Sequence, residues 1–367
     1  VESSVAALQA LASDYRSKFG GKMVAVTGSN GKTVVKEWIS ELVPQGVKLF
    51  RSPKSYNSQI GVPLSLLMMD GDEDVAVIEA GISQNGEMER LWNIIRPDIG
   101  VFTTLGDAHQ ENFSSLDEKL TEKIKLFAGA DSVVFNSTGN PMVEFELRTT
   151  YPEAKFYDAA SQREAYSIFA DRASKENAST AVTVCDILGY SHAGTVAKLG
   201  NLRPVAMRLE LKEGIHGSVI INDSYNSDIN SLAIALDYLG SIASGRQRVL
   251  ILSDILQSSL SESQLFGGVA EVVARSGVDK LVGIGDAISR HASLFRCDAD
   301  FFDSAKTYLA SLRGEDIAGK AVLVKGNRGA HFEELTHAIE RKSHTTTLEV
   351  DLDSVVHNIN THRAMLN

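Results

Sequence analysis

The sequence predicts an α/β protein with two consecutive domains, each built on a mostly parallel sheet covered by helices. The chain has 367 residues, which is room for two to three domains of about 150 residues each. Short apolar runs alternate with amphipathic stretches of helical length. The runs carry apolar residues at successive positions rather than at alternate ones. That pattern is typical of parallel strands buried between two layers of helices.

The first domain is predicted from the opening helix and the four apolar runs that follow it. Residues 4–19 have apolar side chains at helical spacing, with Ser3 and Ser4 as candidate caps and Gly20-Gly21 as the stop. Leu116–Phe127 is a second helical stretch. The four predicted strands are Met23–Val26, Val75–Ile78, Val101–Thr104 and Val133–Phe135.

The second, smaller domain is predicted to be Rossmann-like. Its predicted strands are Val219–Ile221, Val249–Leu252, Leu281–Ile284 and Val322–Val324. Each of these runs is followed within two residues by Gly, Asp or Asn, as strand ends that feed ligand-facing loops often are. After Glu340 the sequence predicts a linker, then a strand over Leu348–Leu352 and a helix over Ser354–Leu366. We therefore divide the chain into 1–20, 21–203, 204–341 and 342–367.

Composition and charge exclude several classes of protein. Lys and Arg number 36 and Asp and Glu 47, which gives a net charge of −11 and argues against a nucleic-acid partner. A hydrophobic fraction of 43% with 23% charged residues is globular rather than disordered. Cys185 and Cys297 lie far apart, as in a protein of the reducing cytoplasm. No apolar run approaches the roughly 18 residues of a membrane span.

A phosphate-binding loop is predicted between the first strand and the following helix. Gly28 and Gly31 let the backbone turn around Ser29 and Asn30, so that N–H groups face a phosphate. Lys32 would reach the outer phosphates, and Thr33 would offer its hydroxyl to Mg²⁺. The usual pattern has a further Gly where this chain has Val26, so this is a shortened variant. The alternative is a strand–helix turn that merely contains Gly-Lys-Thr.

Three further residues are candidate metal ligands. Glu79 closes a strand beside the loop, where a carboxylate is a natural Mg²⁺ ligand, although a strand-end Glu is often only a cap. His109 follows another strand of the same sheet, although a lone loop His is usually a surface residue. Lys123 lies in the helical stretch, and spacing alone does not distinguish it from a solvated lysine.

Motifs in both halves of the chain resemble the Mur ligase family, over about residues 4–341. In the first half they are Thr27–Thr33, Asn57–Leu64, Glu79 and His109 followed by Phe113. In the second half they are Arg208-Leu209-Glu210, Asn222–Ser227 and Lys325–Arg328. Within the family, the motifs are most similar to those of the ligase that adds D-alanyl-D-alanine to UDP-N-acetylmuramoyl-tripeptide. The resemblance implies those two substrates, with ATP and Mg²⁺ as cofactors.

The resemblance also implies a mechanism and a role for each motif residue. A substrate carboxylate attacks the γ-phosphate of ATP, and the incoming amine displaces phosphate from the resulting acyl phosphate. Lys32 would balance the charge on the transferring group. Thr33 and Glu79 would hold one Mg²⁺ and His109 a second, and Lys123 would be carbamylated as a metal ligand. The nucleotide contacts implied are Asn177 to adenine, Asp223 to ribose, Arg208 to the phosphate side, and Lys325.

The chain departs from the family pattern at three places. Ser174 stands where the family commonly has a first asparagine before Asn177. Asp228-Ile229 replaces a usual proline-containing segment, and Asn327 replaces a usual serine. Loop and capping roles therefore remain an alternative for the residues of the second domain.

The two ends of the chain carry separate expectations. The family has an N-terminal UDP-substrate domain, of which residues 1–20 would be the exit helix. Residues 347–358 resemble the opening strand and helix of an alanine racemase, a pyridoxal-phosphate family whose cofactor lysine would lie outside this chain. A ligase–racemase fusion, with dimerisation through the racemase, is therefore expected. The alternatives are a folylpolyglutamate synthase-like ligase, a non-catalytic scaffold for the racemase, and a generic P-loop phosphotransferase.

Overall fold

A computed structural model describes residues 3–106, 110–138, 141–162, 167–256, 258, 260–341 and 352–366. Within them lie two six-stranded sheets that follow one another along the chain. The predicted class, two consecutive α/β units, is confirmed.

The first sheet is wholly parallel and has the strand order β2-β3-β1-β4-β5-β6. Its strands are β1 Lys22–Thr27, β2 Leu49–Arg51, β3 Val75–Glu79, β4 Ile99–Phe102, β5 Ser132–Phe135 and β6 Lys155–Asp158. Its helices are α1 Ser4–Ser17, α2 Lys32–Leu42, α3 Gly61–Leu66, α4 Glu87–Ile95, α5 Leu116–Ile124, α6 Pro141–Thr150, α7 Arg172–Ile187 and α8 His192–Val196.

Apolar side chains on both faces of this sheet explain why it lies between two helical layers. Met23 and Ala25 of β1 belong to one buried cluster, which also contains residues of α4 and α5. Val24 and Val26 belong to the cluster on the other face, with residues of α2 and α7. A strand that is buried on both faces needs no polar alternation, which is why β1 could be recognised from its sequence.

The second sheet has the order β11-β10-β9-β12-β8-β7 and is parallel except for β7, which runs antiparallel to β8. Its strands are β7 Glu210–Glu213, β8 Val219–Asp223, β9 Arg248–Ser253, β10 Lys280–Ile284, β11 Asp298–Phe302 and β12 Ala321–Lys325. Its helices are α9 Ile229–Ile242, α10 Glu262–Arg275, α11 Asp286–Arg290, α12 Ala305–Ser311, α13 Gly314–Ile317 and α14 Phe332–Ile339. Helix α9 packs against α7, so the two units touch near the carboxyl edges of their sheets.

All eight strands predicted for the two domains are present, and four further strands of the described residues were missed. The missed strands β2, β6, β7 and β11 lie at the four edges of the two sheets. They are short and partly exposed, with a solvent-facing side chain at every second or third position. Strand β4 ends at Phe102 rather than at the predicted Thr104, because Thr103 and Thr104 turn to hydrogen-bond the phosphate loop.

The ends of the described chain are helical. Ser3 caps α1 by accepting a hydrogen bond from the N–H of Ala6, as predicted. The predicted C-terminal helix is present as α15, Leu352–Leu366. Most of the predicted strand before it, residues 348–351, lies outside the described residues. No helix within the described ranges has both the length and the apolar character needed to cross a bilayer.

Candidate active site in the cleft between the two units

A cleft of about 660 Å³ lies between the carboxyl edges of the two sheets. The first unit lines it with the loop of residues 28–33, Glu79 and Lys123, and the second unit adds Arg208, Tyr225 and Arg328. The cleft therefore brings together most of the residues predicted from separate motifs.

The phosphate loop has the predicted strand–loop–helix geometry. Gly28 has a φ of 139° and Gly31 a φ of 85°, which side-chain-bearing residues rarely adopt. A Cβ on Gly28 would lie 2.0 Å from Thr103 Oγ1, so close packing also requires glycine there. Gly31 is the N-cap of α2 and makes no side-chain cap bond. The first N–H groups of a helix lack intrahelical acceptors, so this end of α2 is suited to an anion.

The end of β4 holds the loop in place. The N–H of Ser29 donates to the carbonyl oxygen of Thr104 (2.7 Å), and the Thr103 hydroxyl donates to the carbonyl oxygen of Asn30 (2.6 Å). The Ser29 hydroxyl donates to the carbonyl oxygen of Gly106 (3.0 Å). The loop is therefore fixed before any ligand arrives.

Two lysines, Lys32 and Lys123, converge on one carbonyl oxygen of this loop. Lys32 Nζ donates to Gly28 O at 2.9 Å, and Lys123 Nζ donates to the same oxygen at 3.1 Å. Burial lowers the pKa of Lys32, which Glu79 opposes. Burial also lowers the pKa of Lys123 well below 10.5, and the positive charges of Lys32 and Lys119 lower it further. Lys123 is therefore not a solvated helix lysine, since only 3% of it is exposed.

Glu79 and Thr33 form a buried oxygen-rich pair beside the two lysines. The Thr33 hydroxyl donates to Glu79 Oε2 at 2.8 Å, and Asn57 Nδ2 donates to Oε1 at 2.7 Å. Ser55 Oγ lies 3.3 Å from Thr33 Oγ1. A carboxylate with hydroxyl and amide neighbours is a ligand set suited to a hard cation such as Mg²⁺. The chemistry of these residues therefore fits the predicted metal, which Thr33 and Glu79 would hold.

The remaining predicted metal ligand, His109, lies outside the described residues. Within those residues, no group of three or more His, Cys, Asp and Glu side chains is arranged to hold a metal ion. The described part of the site therefore depends on Glu79 together with neutral oxygen atoms.

The second unit contributes a stack of three side chains to the cleft. The guanidinium carbons of Arg208 and Arg328 lie 3.5 Å and 3.8 Å from the centroid of the Tyr225 ring. Burial lowers the pKa of Arg208, and Glu79 across the cleft opposes this. Both neighbours of Arg208 have left-handed backbones, with φ 58° at Met207 and 50° at Leu209. Such strain is common where a fold presents a functional side chain.

Three predicted nucleotide contacts lie outside the lining of the cleft. Asp223 and Lys325 are register partners on β8 and β12 and form a buried ion pair of 2.8 Å. Asn177, on α7, packs on the loop, since a Cβ at Gly31 would lie 2.5 Å from its Oδ1. The contacts of these three residues with adenine and ribose stay predictions.

Two side chains at the start of α9 carry buried oxygen atoms that have no hydrogen-bond partner among the described residues. They are Ser227 Oγ and Asp228 Oδ2. Asp228 caps α9 through its other oxygen, which accepts from the N–H of Ser231 (2.9 Å). Its charge also raises the pKa of Lys32 in the other unit. The departure from the family pattern at Asp228 therefore adds a negative charge opposite the phosphate loop.

Sequence reasoning assigned no role to Asn57, Tyr225 or Arg328. Each belongs to a motif quoted for the family resemblance, so its position carried a signal. No signal in the sequence indicates that Tyr225 stacks on the two arginines, because the stacking depends on how a turn and two strands meet in space. Lys36 and Ser55 were also missed, for the same reason.

Comparison with known proteins gives one family match for each of the two sheet-containing units. Residues 26–201 match the Mur ligase middle domain, and residues 207–347 match the Mur ligase glutamate ligase domain. The UDP-N-acetylmuramoyl-tripeptide–D-alanyl-D-alanine ligase of Bacillus subtilis is 25% identical over 91% of this chain and 79% of its own.

Two solved structures are similar in fold. MurF from Acinetobacter baumannii has a TM-score of 0.81 and 20% identity, over 92% of this chain and 81% of its own. MurF from Thermotoga maritima in complex with ADP has a TM-score of 0.76 and 21% identity, over 92% and 83%.

Proposed function

The chain belongs to the Mur ligase family, with its middle and C-terminal domains, and from that premise we propose that it joins D-alanyl-D-alanine to UDP-N-acetylmuramoyl-tripeptide in an ATP-dependent reaction. The name of the Bacillus subtilis relative describes that ligation, and the match extends over both domains. Such a reaction uses nucleotide substrates of peptidoglycan synthesis, so we also propose a cytoplasmic location.

One observation carries the proposal. The phosphate loop, the Thr33–Glu79 pair and the arginines of the second domain face a single cleft. A ligase of this kind must hold ATP against a carboxylate and then admit an amine. The cleft between domains meets that need, because each domain can bring one partner to the same point.

The proposed reaction has two steps. A carboxylate oxygen of the tripeptide attacks the γ-phosphorus of ATP, the bond to the bridging oxygen breaks, and ADP leaves. The amine of D-alanyl-D-alanine then attacks the acyl carbon, and inorganic phosphate leaves as the amide forms. Lys32 and Arg208, which both line the cleft, would offset the negative charge that builds on the phosphoryl oxygens.

Thr33 and Glu79 would hold Mg²⁺, with Asn57 orienting the Glu79 carboxylate through its 2.7 Å hydrogen bond. When bound, Mg²⁺ neutralises charge on the phosphates of ATP and keeps them in position. Orientation by Asn57 is expected to matter because neighbours of metal ligands fix the direction of the ligand atoms.

Lys123 is proposed to be carbamylated. The reaction joins the neutral amine to CO₂ and releases a proton, so it needs an amine that is uncharged near neutral pH. Burial and the charges of Lys32 and Lys119 favour that form. The carbamate would turn a destabilising cation into an anion beside Lys32, and would offer further oxygen atoms to the metal site.

The test is phosphate release by the full-length protein with ATP, with each amine or carboxylate substrate supplied alone and together. Release is expected only when both are present, with the amide product detected by mass spectrometry. Glu79→Ala should abolish both signals. Phosphate release that is indifferent to the amine would instead favour a phosphotransferase, and activity with glutamate and a folate would favour a folylpolyglutamate synthase. If Lys32→Ala and Glu79→Ala leave ligation unchanged, the site is a scaffold.

We further propose that residues 342–367 lead into an alanine racemase part that binds pyridoxal phosphate and dimerises. The support is the resemblance of residues 347–358 to that family's opening strand and helix. Racemisation of L-alanine by the full-length protein, lost on removal of pyridoxal phosphate, would support a fusion. A full-length protein without racemase activity would contradict it.

A further inference from the structure

The fully buried Lys36 lies one helical turn behind the phosphate loop, and it has no role in the proposed reaction. It is 0% exposed and stands three residues after Thr33 on α2, so both side chains lie on the same face of the helix. A buried ammonium group is costly unless its donors are satisfied. Its partners therefore indicate what it does.

The partners of Lys36 are carbonyl oxygens of one turn. Its Nζ donates to Ser52 O at 2.6 Å and to Lys54 O, and it forms an ion pair of 3.1 Å with Glu37. Lys54 has a φ of 49°, an unfavourable backbone for a lysine. The ammonium thus satisfies two carbonyl oxygens of a turn that contains a strained residue, and one of them belongs to the fully buried Ser52.

The 52–57 turn contacts both residues of the Thr33–Glu79 pair. Ser52 Oγ accepts from the N–H of Glu79 at 3.2 Å, and Asn57 Nδ2 donates to its carboxylate at 2.7 Å. Ser55 Oγ lies 3.3 Å from the Thr33 hydroxyl. The position of this one turn therefore sets the direction of the oxygen atoms that were assigned to Mg²⁺.

We propose that Lys36 is a positioning residue for the Mg²⁺·nucleotide site, acting by fixing the 52–57 turn on the Thr33–Glu79 pair. The proposal rests on the proposed function, since it assumes that the pair binds Mg²⁺ with a nucleotide. It adds a specific claim, namely that an ammonium group with no ligand contact of its own determines how strongly Mg²⁺ enhances nucleotide binding.

The chain offers a matched control at the other end of the same helix. Lys198 Nζ donates to Leu42 O at 3.0 Å and to Val43 O at 2.8 Å, so it also satisfies two carbonyl oxygens with one ammonium group. It lies outside the lining of the cleft. Replacement of either lysine by methionine removes comparable hydrogen bonds, but only one of the two contacts the turn.

The experiment measures binding of a fluorescent ADP analogue, with Mg²⁺ and with EDTA, to the wild type and the variants. We define the Mg²⁺ gain as the dissociation constant in EDTA divided by the dissociation constant with Mg²⁺. We expect Lys36→Met to reduce this gain by about ten- to a hundred-fold, as loss of a group that orients metal ligands typically does. Lys198→Met is expected to lower the melting temperature and keep the wild-type gain.

The outcomes separate the two proposals. A wild type without any Mg²⁺ gain overturns the proposed metal role and this inference with it. A wild-type gain that persists in Lys36→Met, or that Lys198→Met loses equally, overturns the inference alone. If Lys36→Met does not fold, Lys36→Arg decides, because a guanidinium keeps the positive charge and changes the geometry of the donors that face the turn. A partial loss of the gain supports the proposal, and an unchanged gain overturns it.

Discussion

The lysines at the carboxyl edges of the two sheets differ in their partners. In the second domain, Lys325 pairs with Asp223 at 2.8 Å within the same sheet. In the first domain, Lys32 and Lys123 both donate to the carbonyl oxygen of Gly28, and neither forms an ion pair with a described residue. The second edge neutralises its own cation, and the first leaves positive charge available for an anion.

The difference shows that, among these lysines, the unfavourable burial of unpaired positive charge is confined to the first of the two sheet edges. Burial lowers the pKa of Lys32 and of Lys123, so the folded state disfavours the charged form of both side chains. Lys123 is the one proposed to lose its proton and be carbamylated, and Lys32 is the one that would keep its charge at a cost. A bound phosphate would offset that cost, since opposite charges attract more strongly in a site that excludes water. In the second domain, the charge of Lys325 is already balanced by Asp223. We therefore expect changes there to affect stability, and changes in the first domain to affect the reaction.

The largest expected effect is on stability, from Lys325→Met. It leaves the Asp223 carboxylate buried without its partner, which typically costs about 3–5 kcal/mol. Urea unfolding measures the loss. The double variant Asp223→Asn, Lys325→Met removes both charges and should recover much of it. Equal losses in the single and double variants would show that the pair is not the source.

The next effect is on the reaction, from Lys32→Met. Removing a group that stabilises transition-state charge is expected to lower kcat by about 10²- to 10³-fold. Stability should change little, because the ammonium is only partly buried and its hydrogen-bond partners are two carbonyl oxygens. Steady-state kinetics and urea unfolding on the same preparation check both halves. A large stability loss with unchanged kcat would reverse the contrast between the two sheet edges.

Much of this contrast could be predicted from the sequence, because the strands and the loop that carry these residues are set by short stretches of sequence. The central strands could be recognised since they are apolar on both faces, and Glu79 and Thr33 since a strand end and a loop–helix junction fix their places. The edge strands could not, because they are short, partly exposed and depend on pairing with a neighbour. The bond from Lys36 to the 52–57 turn was equally hidden, as it joins positions 16 and 18 residues apart through a turn with a left-handed residue.

The sign of the pH dependence provides a third prediction, from Lys123→Met. The pKa of Lys123 is lowered in the folded state and lies near 10.5 in the unfolded chain, so unfolding takes up a proton between those values. The stability contributed by Lys123 is therefore full above 10.5 and is lost as the pH falls through the folded pKa.

We expect the unfolding free energy of the wild type to rise, relative to Lys123→Met, as the pH increases through that window. Urea unfolding of both proteins in CO₂-free buffer, at a series of pH values up to about 10, measures the difference. Added bicarbonate should raise the stability of the wild type only, through the carbamate. A constant difference at all pH values would mean that Lys123 titrates as an exposed lysine does.

The smallest expected effect concerns the cations that the second domain does present to the cleft. The Tyr225 ring stacks with the guanidinium groups of both Arg208 and Arg328. Tyr225→Ala removes these contacts, worth about 0.5–2 kcal/mol, and lets two like charges approach. Nucleotide affinity should fall by the corresponding factor, whereas Tyr225→Phe keeps the ring, loses only the hydroxyl that accepts a hydrogen bond from Arg328, and should lose less affinity. If the alanine variant binds nucleotide normally, the arginines do not need the ring to hold their positions. The left-handed backbone at Met207 and Leu209 would then be what holds Arg208 in the cleft.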